Sequence, residues 1–259
     1  MPSELLTERE GSTLLLTISD PETRNTLSAQ VLSAGIEALG VAESDEQVAA
    51  VILRGAGSHF CAGGNVQGLA ERREAGRAAQ RQMLEHLHQL VEALRVFPKP
   101  VIAAVEGAAA GAGFSLALNC DLIVAADDAK FTMSYGRLGL SPDGGATWNL
   151  VQSLPRMLAQ RMVWLAEPLG AAELHRLGLV GWIAASGQAS AEALRLAARL
   201  AAMASNAISS GKELVQQAAS RTMHQQLAAE RDHFIDNLFH ANGAEGLQAF
   251  FEKRTPSFR

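Results

Sequence analysis

The sequence predicts an α/β protein with mainly parallel strand pairing, followed by a part built of helices alone. Two observations carry this. Over the first two-thirds of the 259 residues, short runs rich in Val, Ile and Leu alternate with amphipathic stretches, the pattern of a sheet buried on both faces. After about residue 190 every apolar pattern has helical spacing instead. The change divides the chain into an α/β core, residues 1–190, and a C-terminal helical region, residues 191–259.

Taken in order, TLLLTIS (13–19), VAAVILRG (48–55), PVIAAVEG (100–107) and CDLIVAAD (120–127) are apolar runs of strand length, and LVGWIAA (179–185) adds another. Between the first two, LSAQVLSAGIEAL places Leu27, Val31, Ala34 and Ala38 at helical spacing, with Ser28 as its cap. MLEHLHQLVEALRVF carries one apolar stripe of Met83, Leu87, Leu90, Val91 and Leu94. Pro98 and Pro100 stop that helix. The polar stretch LAERREAGRAAQRQ (69–82) before it is expected as a mobile connection, loosest around Gly76. In the C-terminal part, EALRLAARLAAMA, GKELVQQAA, RTMHQQLAAERDHFIDNLF and GAEGLQAFFEKR all read as helices. Met223, Leu227, Phe234 and Leu238 share a face of the third, and this face needs cover from the core, from another subunit, or from both.

Composition bounds the function. With 48% hydrophobic and 19% charged residues, the chain can bury a sizeable core. A net charge of −5 with no long Lys/Arg run argues against a general nucleic-acid or membrane-surface binder. Cys61 and Cys120 are too few for a disulfide framework and lack metal-site spacing, so no metal is expected. The segment MPSELLTEREGS has no signal pattern, and no apolar run approaches the roughly 18 residues that span a bilayer. A cytoplasmic protein is expected.

Two glycine-rich segments follow two of the strands: GSHFCAGGNV (57–66) and EGAAAGAGFSLAL (106–118). Small residues at a strand-to-helix transition let a ligand reach the backbone and leave N–H groups unpaired. Such groups bind phosphate or hold a carbonyl oxygen as it becomes negative; the same glycines also serve close helix packing. GAGFSL lacks the third glycine of GxGxxG, so a dinucleotide fingerprint is not supported. Two such segments in one α/β unit suggest an oxyanion hole with two donors. A third stretch, RLGLSPDGGATW, sets Asp143 in a Pro-Asp-Gly-Gly turn beside Leu138, Leu140 and Trp148. Turns favour those residues for backbone reasons alone, so Asp143 is either a solvated bend or a working acid.

FCAGGNV, KPVIAAVEGAAAGAGFSLALNCDLIVAADDAKF, LGLSPDGGATW and the ending GLQAFFEKRTPSF resemble the signature segments of the enoyl-CoA hydratase/isomerase (crotonase) superfamily, in order and spacing, over essentially the whole chain. The resemblance implies a crotonase-like spiral of ββα units with a helical C-terminal trimerisation region, assembled as a homotrimer or a dimer of trimers. It implies an acyl-CoA thioester as substrate, coenzyme A being part of that substrate and no separate cofactor being needed. The thioester carbonyl would sit between the N–H groups of Ala62 and Ala112. Arg24 would meet a CoA phosphate, the backbone at Ala62, Gly64 and Val66 would flank the coenzyme, and Phe250 and Lys253 would close over it. Asn65 stands where the family commonly has an aspartate.

The departures narrow the reaction. The two glutamates of the hydratases are replaced by Ser115 and Tyr135, and neither is a carboxylate base. Asp143 falls where dienoyl-CoA isomerases and ring 1,2-epoxyphenylacetyl-CoA isomerases carry a catalytic aspartate, and the local sequence is most similar to the latter. The implied function is an acyl-CoA isomerase of fatty-acid or aromatic degradation, moving a double bond or rearranging a ring epoxide through a thioester enolate, with Asp143 as acid and base. Three alternatives stay open: an aryl-CoA dehalogenase with Asp143 as nucleophile and His88 as base, a hydratase-like lyase, and a non-catalytic acyl-CoA binder. His59 and His86 are expected as surface or loop residues, and the hydroxyl of Ser115 is expected to bond back to the carbonyl four residues earlier.

Overall fold

A computed structural model describes residues 3–258. The elements run β1 (Glu4–Glu10), β2 (Thr13–Ser19), α1 (Ala29–Ser44), β3 (Ala50–Gly55), α2 (Val66–Ala75), α3 (Arg77–Val96), β4 (Val101–Val105), β5 (Ala108–Ala110), α4 (Ala112–Leu118), β6 (Leu122–Ala126) and β7 (Lys130–Thr132). They continue with α5 (Ala146–Ser153), α6 (Arg156–Leu165), β8 (Leu169–Gly170), α7 (Ala171–Arg176), β9 (Trp182–Ala184), α8 (Ala189–Ala201), α9 (Ser205–Ala218), α10 (Met223–Phe239) and α11 (Ala241–Glu252). Six strands form one sheet in the order β1-β2-β3-β4-β6-β9, parallel except for β1. A smaller sheet joins β5, β7 and β8.

The spiral follows from what comes after each large-sheet strand. β4 is followed by the short strand β5 and then by α4, and β6 by β7, which pairs parallel to β5. The earlier turns repeat this in reduced form: Leu27, after β2, bridges to Gly64, and Cys61, after β3, bridges to Ala109 of β5. These short pairings stack successive turns, so the glycine-rich segment after β3 lies against the one after β4. The expected ββα spiral is the observed fold.

Alternation along the strands divides the core. Val51 and Leu53 of β3 face the cluster built with α1 and α3, while Ala50 and Ile52 face the other side. There Ala189, Ala193, Leu196 and Ala197 of α8 cover them with Ile102 and Val124. The boundary read at residues 190/191 therefore falls inside α8, which seals the sheet. α9 is attached through Lys212, whose ammonium donates to Asp121 Oδ2 at 2.8 Å and to the Lys99 carbonyl at 3.2 Å. On α10, Met223 (75%), Leu227 (56%) and Phe234 (68%) are exposed within one chain. Among the described residues no helix is long and apolar enough to cross a membrane.

Two expectations are corrected, and the strand β1 was not expected. The stretch 69–82 is helical, shared by α2 and the start of α3 with a break at Gly76. Asn65 caps α2 through its side chain, which accepts from Gly68 N at 3.0 Å. No α2 residue is buried, so the helix has no apolar stripe to betray it. β1 is an edge strand with almost every side chain exposed, hence its acidic, polar sequence. In α1 the buried stripe is Val31, Leu32, Gly35, Leu39 and Ala42, turned slightly from the expected face because Gly35 admits Leu90 of α3.

Asn25 fastens the loop after β2. It is fully buried, at φ +60°, and its amide donates to the carbonyls of Ala56 (2.9 Å) and His59 (2.7 Å) while accepting from Asp20 N (3.0 Å). Asparagine tolerates this left-handed conformation better than most residues. Asn25→Ala strands three backbone groups without partners. It is expected to cost about 3 kcal/mol in denaturant unfolding, since each buried unsatisfied group costs roughly 1–3 kcal/mol.

Candidate active site

The two glycine-rich segments meet at Gly63. With φ +89°, a Cβ there would stand 2.6 Å from the Ala110 carbonyl oxygen and 2.9 Å from the Ala112 nitrogen, so only glycine lets the backbones approach this closely. Neighbouring bonds fix the register: Cys61 N donates to Ala108 O at 3.1 Å, and Ala110 N to Cys61 O at 2.9 Å. Leu27 N donates to Gly63 O at 2.8 Å.

This register corrects the donor expected at Ala62. The Ala62 N–H already donates to the Arg24 carbonyl at 2.9 Å, so it cannot face a ligand without breaking that bond. Two residues on, the Gly64 N–H has no acceptor among the described residues. Ala112 opens α4, so its N–H has no acceptor within the helix. Gly64 and Ala112 are therefore two free donors where the segments touch. The nearby Cys61 thiol is buried and pushed up to about 12, which makes it inert as a nucleophile.

Asp143 is brought beside this junction by a chain of hydroxyls. Tyr135, in the 3₁₀ turn Ser134–Leu138, lies with its ring near Gly111, directly before Ala112. Its hydroxyl donates to Asp143 Oδ1 at 2.6 Å and lies 3.2 Å from Ser115 Oγ. Ser115, fully buried on α4, makes the expected bond to Gly111 O (3.3 Å), but it also donates to the Asp143 carbonyl at 3.0 Å. Gly144 has φ +58°, and a Cβ there would come within 2.9 Å of Ser115 Cβ, so the Asp-Gly turn can lie flat on α4. Asn119 completes the support, donating to Ser115 O (2.7 Å) and Gly144 O (2.8 Å) while Asn149 donates to it (3.0 Å). Asn119 and Asn149 were not singled out from the sequence; their amides bind carbonyls and leave no periodic signal.

Asp143 is half-buried and held above the usual carboxylate range, chiefly by burial, with the Tyr135 hydrogen bond and the charge of His88 pulling the other way. His88 is exposed on α3. Burial also raises Tyr135, beside the Asp143 charge, so its phenol stays neutral. The folded state thus binds the Asp143 proton more tightly than the unfolded chain does. The associated stability is complete below the unfolded pKa, about 4, and is lost as pH rises through the higher folded value. Asp143→Asn keeps an acceptor for Tyr135 and removes this loss. Its melting temperature is expected to match wild type near pH 4 and to exceed it at pH 7–8, by about 2–4 °C for each kcal/mol.

The side chains expected at the coenzyme, Arg24, Val66, Phe250 and Lys253, are all exposed within one chain. Arg24 is exposed, at φ +59°. Val66 is 58% exposed at the start of α2, and Phe250 is 78% exposed. Lys253, also exposed, ends α11, which packs mainly on α10. An open cleft of about 560 Å³ lies between the loop after β2, α2 and α3, lined by Thr26, Ser28, Asn65, Arg72, Met83 and His86 among others. His59 lies in a loop as expected, whereas His86 is on α3; both are half-buried, each with a buried Nδ1 that has no hydrogen-bond partner among the described residues.

A large parallel sheet, a ladder of short strands and two touching glycine-rich segments define a crotonase fold. The enoyl-CoA hydratase/isomerase profile matches residues 8–259, and the chain belongs to that family. The chain is 34% identical over 257 residues to the 2,3-dehydroadipyl-CoA hydratase of Escherichia coli (strain K12), covering 99% of each. It is also 34% identical over 259 residues to the 1,2-epoxyphenylacetyl-CoA isomerase of the same strain, covering 98% of this chain and 97% of that one. A crystal structure described as an enoyl-CoA hydratase from Polaromonas sp. JS666 superposes with TM-score 0.98 at 53% identity, covering 99% of this chain and 100% of that one. An acyl-CoA hydratase/isomerase activity follows from membership.

Proposed function

We propose that the chain is an acyl-CoA isomerase in which Asp143 is the single proton carrier and the N–H groups of Gly64 and Ala112 hold the thioester oxygen. The observation that carries this is the Tyr135–Asp143 hydrogen bond at 2.6 Å, with Ser115 alongside: one carboxylate among neutral hydroxyls. The Asp143 carboxylate takes a proton from a carbon conjugated to the thioester. The C–H electron pair moves into the carbonyl, giving an enolate whose oxygen accepts from the two N–H groups. Asp143 returns the proton to another carbon of the same system, and the double bond moves with no net change in atoms or charge. Ring-epoxide rearrangement would use the same enolate. No cofactor beyond the substrate's coenzyme A enters.

Hydration is the second reading, favoured by the descriptions of the E. coli hydratase and the Polaromonas structure. Adding water across a double bond uses a base for the water and an acid for the carbon, and here one carboxylate would have to serve both. In the dehalogenase reading Asp143 would attack an aryl carbon, yet Tyr135 occupies one of its oxygens and His88 is exposed. Assay of purified protein with 3-enoyl-, 2-enoyl- and epoxyphenylacetyl-CoA tests the proposal. Isomerised product is expected; solvent oxygen found in an Asp143 peptide would favour the dehalogenase, and binding without turnover the non-catalytic binder. We also propose a cytoplasmic homotrimer or dimer of trimers; the exposed face of α10 and the exposure of Phe250 and Lys253 support the assembly, to be measured by light scattering.

A further inference from the structure

The two oxygens of Asp143 are not equivalent. Oδ1 accepts the Tyr135 hydroxyl at 2.6 Å, whereas Oδ2 has no hydrogen-bond partner among the described residues. The phenol is itself held: its oxygen lies 3.2 Å from Ser115 Oγ, and Ser115 is tied to the backbone of the same aspartate and to Gly111. The side chain and the main chain of Asp143 are therefore fixed from one small polar cluster with no charge of its own. While the phenol donates to Oδ1, as it does here, that oxygen is its acceptor, and a proton carried by Asp143 is placed on Oδ2.

We propose that Tyr135 is a positioning residue: it occupies Oδ1, orients the carboxyl plane, and leaves Oδ2 as the one oxygen that exchanges a proton with substrate. This rests on the reading of Asp143 as the proton carrier. It implies that removal and return of the proton take place on the same face of the acyl chain, because a single oxygen performs both. It also gives the replacement of a glutamate by tyrosine a chemical purpose, since a second carboxylate at that place would repel Asp143 instead of orienting it. The groups facing Asp143 are Tyr135 from the 3₁₀ turn, Ser115 from α4 and His88 from α3; only the phenol bonds the carboxylate.

Tyr135 is the only tyrosine in the chain, so biosynthetic 3-fluorotyrosine places one ¹⁹F reporter at this site. In the full-length protein that signal is expected to titrate together with the ¹³C-labelled Asp143 carboxyl. The titration should vanish in Asp143→Asn. In Tyr135→Phe the Asp143 carboxyl is expected to titrate about one pH unit higher, a charge-assisted hydrogen bond having been lost. The ¹⁹F measurement needs no substitution and so stands even if Tyr135→Phe folds poorly. A flat ¹⁹F signal while Asp143 titrates, or an unmoved Asp143 in Tyr135→Phe, overturns the assignment of Tyr135. Full turnover by Asp143→Asn overturns the underlying reading instead, whatever Tyr135 does.

Discussion

Asp143→Asn is expected to lower kcat by about 10³–10⁴-fold while the Michaelis constant changes little, because positioned acid–base groups typically contribute 10²–10⁴ and here one group does both transfers. Asparagine is isosteric and still accepts from the Tyr135 hydroxyl, so the turn on α4 and its Asn119 support persist. The loss would lie in chemistry and not in folding, and the higher melting temperature expected for the same variant at neutral pH separates the two. Groups placed for catalysis are often destabilising where they stand. A half-buried carboxylate, in a turn whose next residue Gly144 lies against Leu87 and Ser115, fits that description. Steady-state kinetics and calorimetric melts on one preparation check both. Retention of more than a tenth of wild-type kcat would remove Asp143 from the centre of the mechanism.

Ala112→Pro is expected to lower kcat/KM by about 10²–10³-fold, the usual effect of deleting one oxyanion donor. Proline removes the backbone N–H, and the first position of a helix is where it is best tolerated, since that N–H has no helical partner and φ is already suitable. The preceding Gly111 has φ +51°, a conformation open to glycine. Circular dichroism should therefore be unchanged while turnover collapses. Near-wild-type activity with a native spectrum would show that Ala112 N–H does not meet the thioester. The same substitution at Ala62 reads differently: there it would break the bond to the Arg24 carbonyl and disturb the loop that Asn25 holds.

The sequence reached some of this and missed the rest for physical reasons. Buried strands such as 48–55 and 120–127 were legible because their runs of Val, Ile and Leu have no other soluble use. α2 and β1 were not, because both lie in solvent and bury almost nothing. Asp143, Ser115 and Tyr135 were named together through resemblance, but spacing could not say that the phenol bonds the carboxylate or that Ser115 binds its backbone. Choosing between Ala62 and Gly64 was beyond the sequence for a similar reason. Which N–H is free depends on a carbonyl at Arg24, supplied by a loop from the previous turn of the spiral. The apolar face of α10 was legible as a face in need of cover, and it is still bare in one chain.

The central claim is that one carboxylate moves a proton without adding water. Turnover of a 3-enoyl-CoA in D₂O enriched in H₂¹⁸O, followed by mass spectrometry and NMR of the product, tests it most directly. The expected product is the 2-enoyl-CoA, with solvent deuterium at most on carbon and no ¹⁸O. A 3-hydroxyacyl-CoA carrying ¹⁸O as the first product formed would contradict the account and make the chain a hydratase.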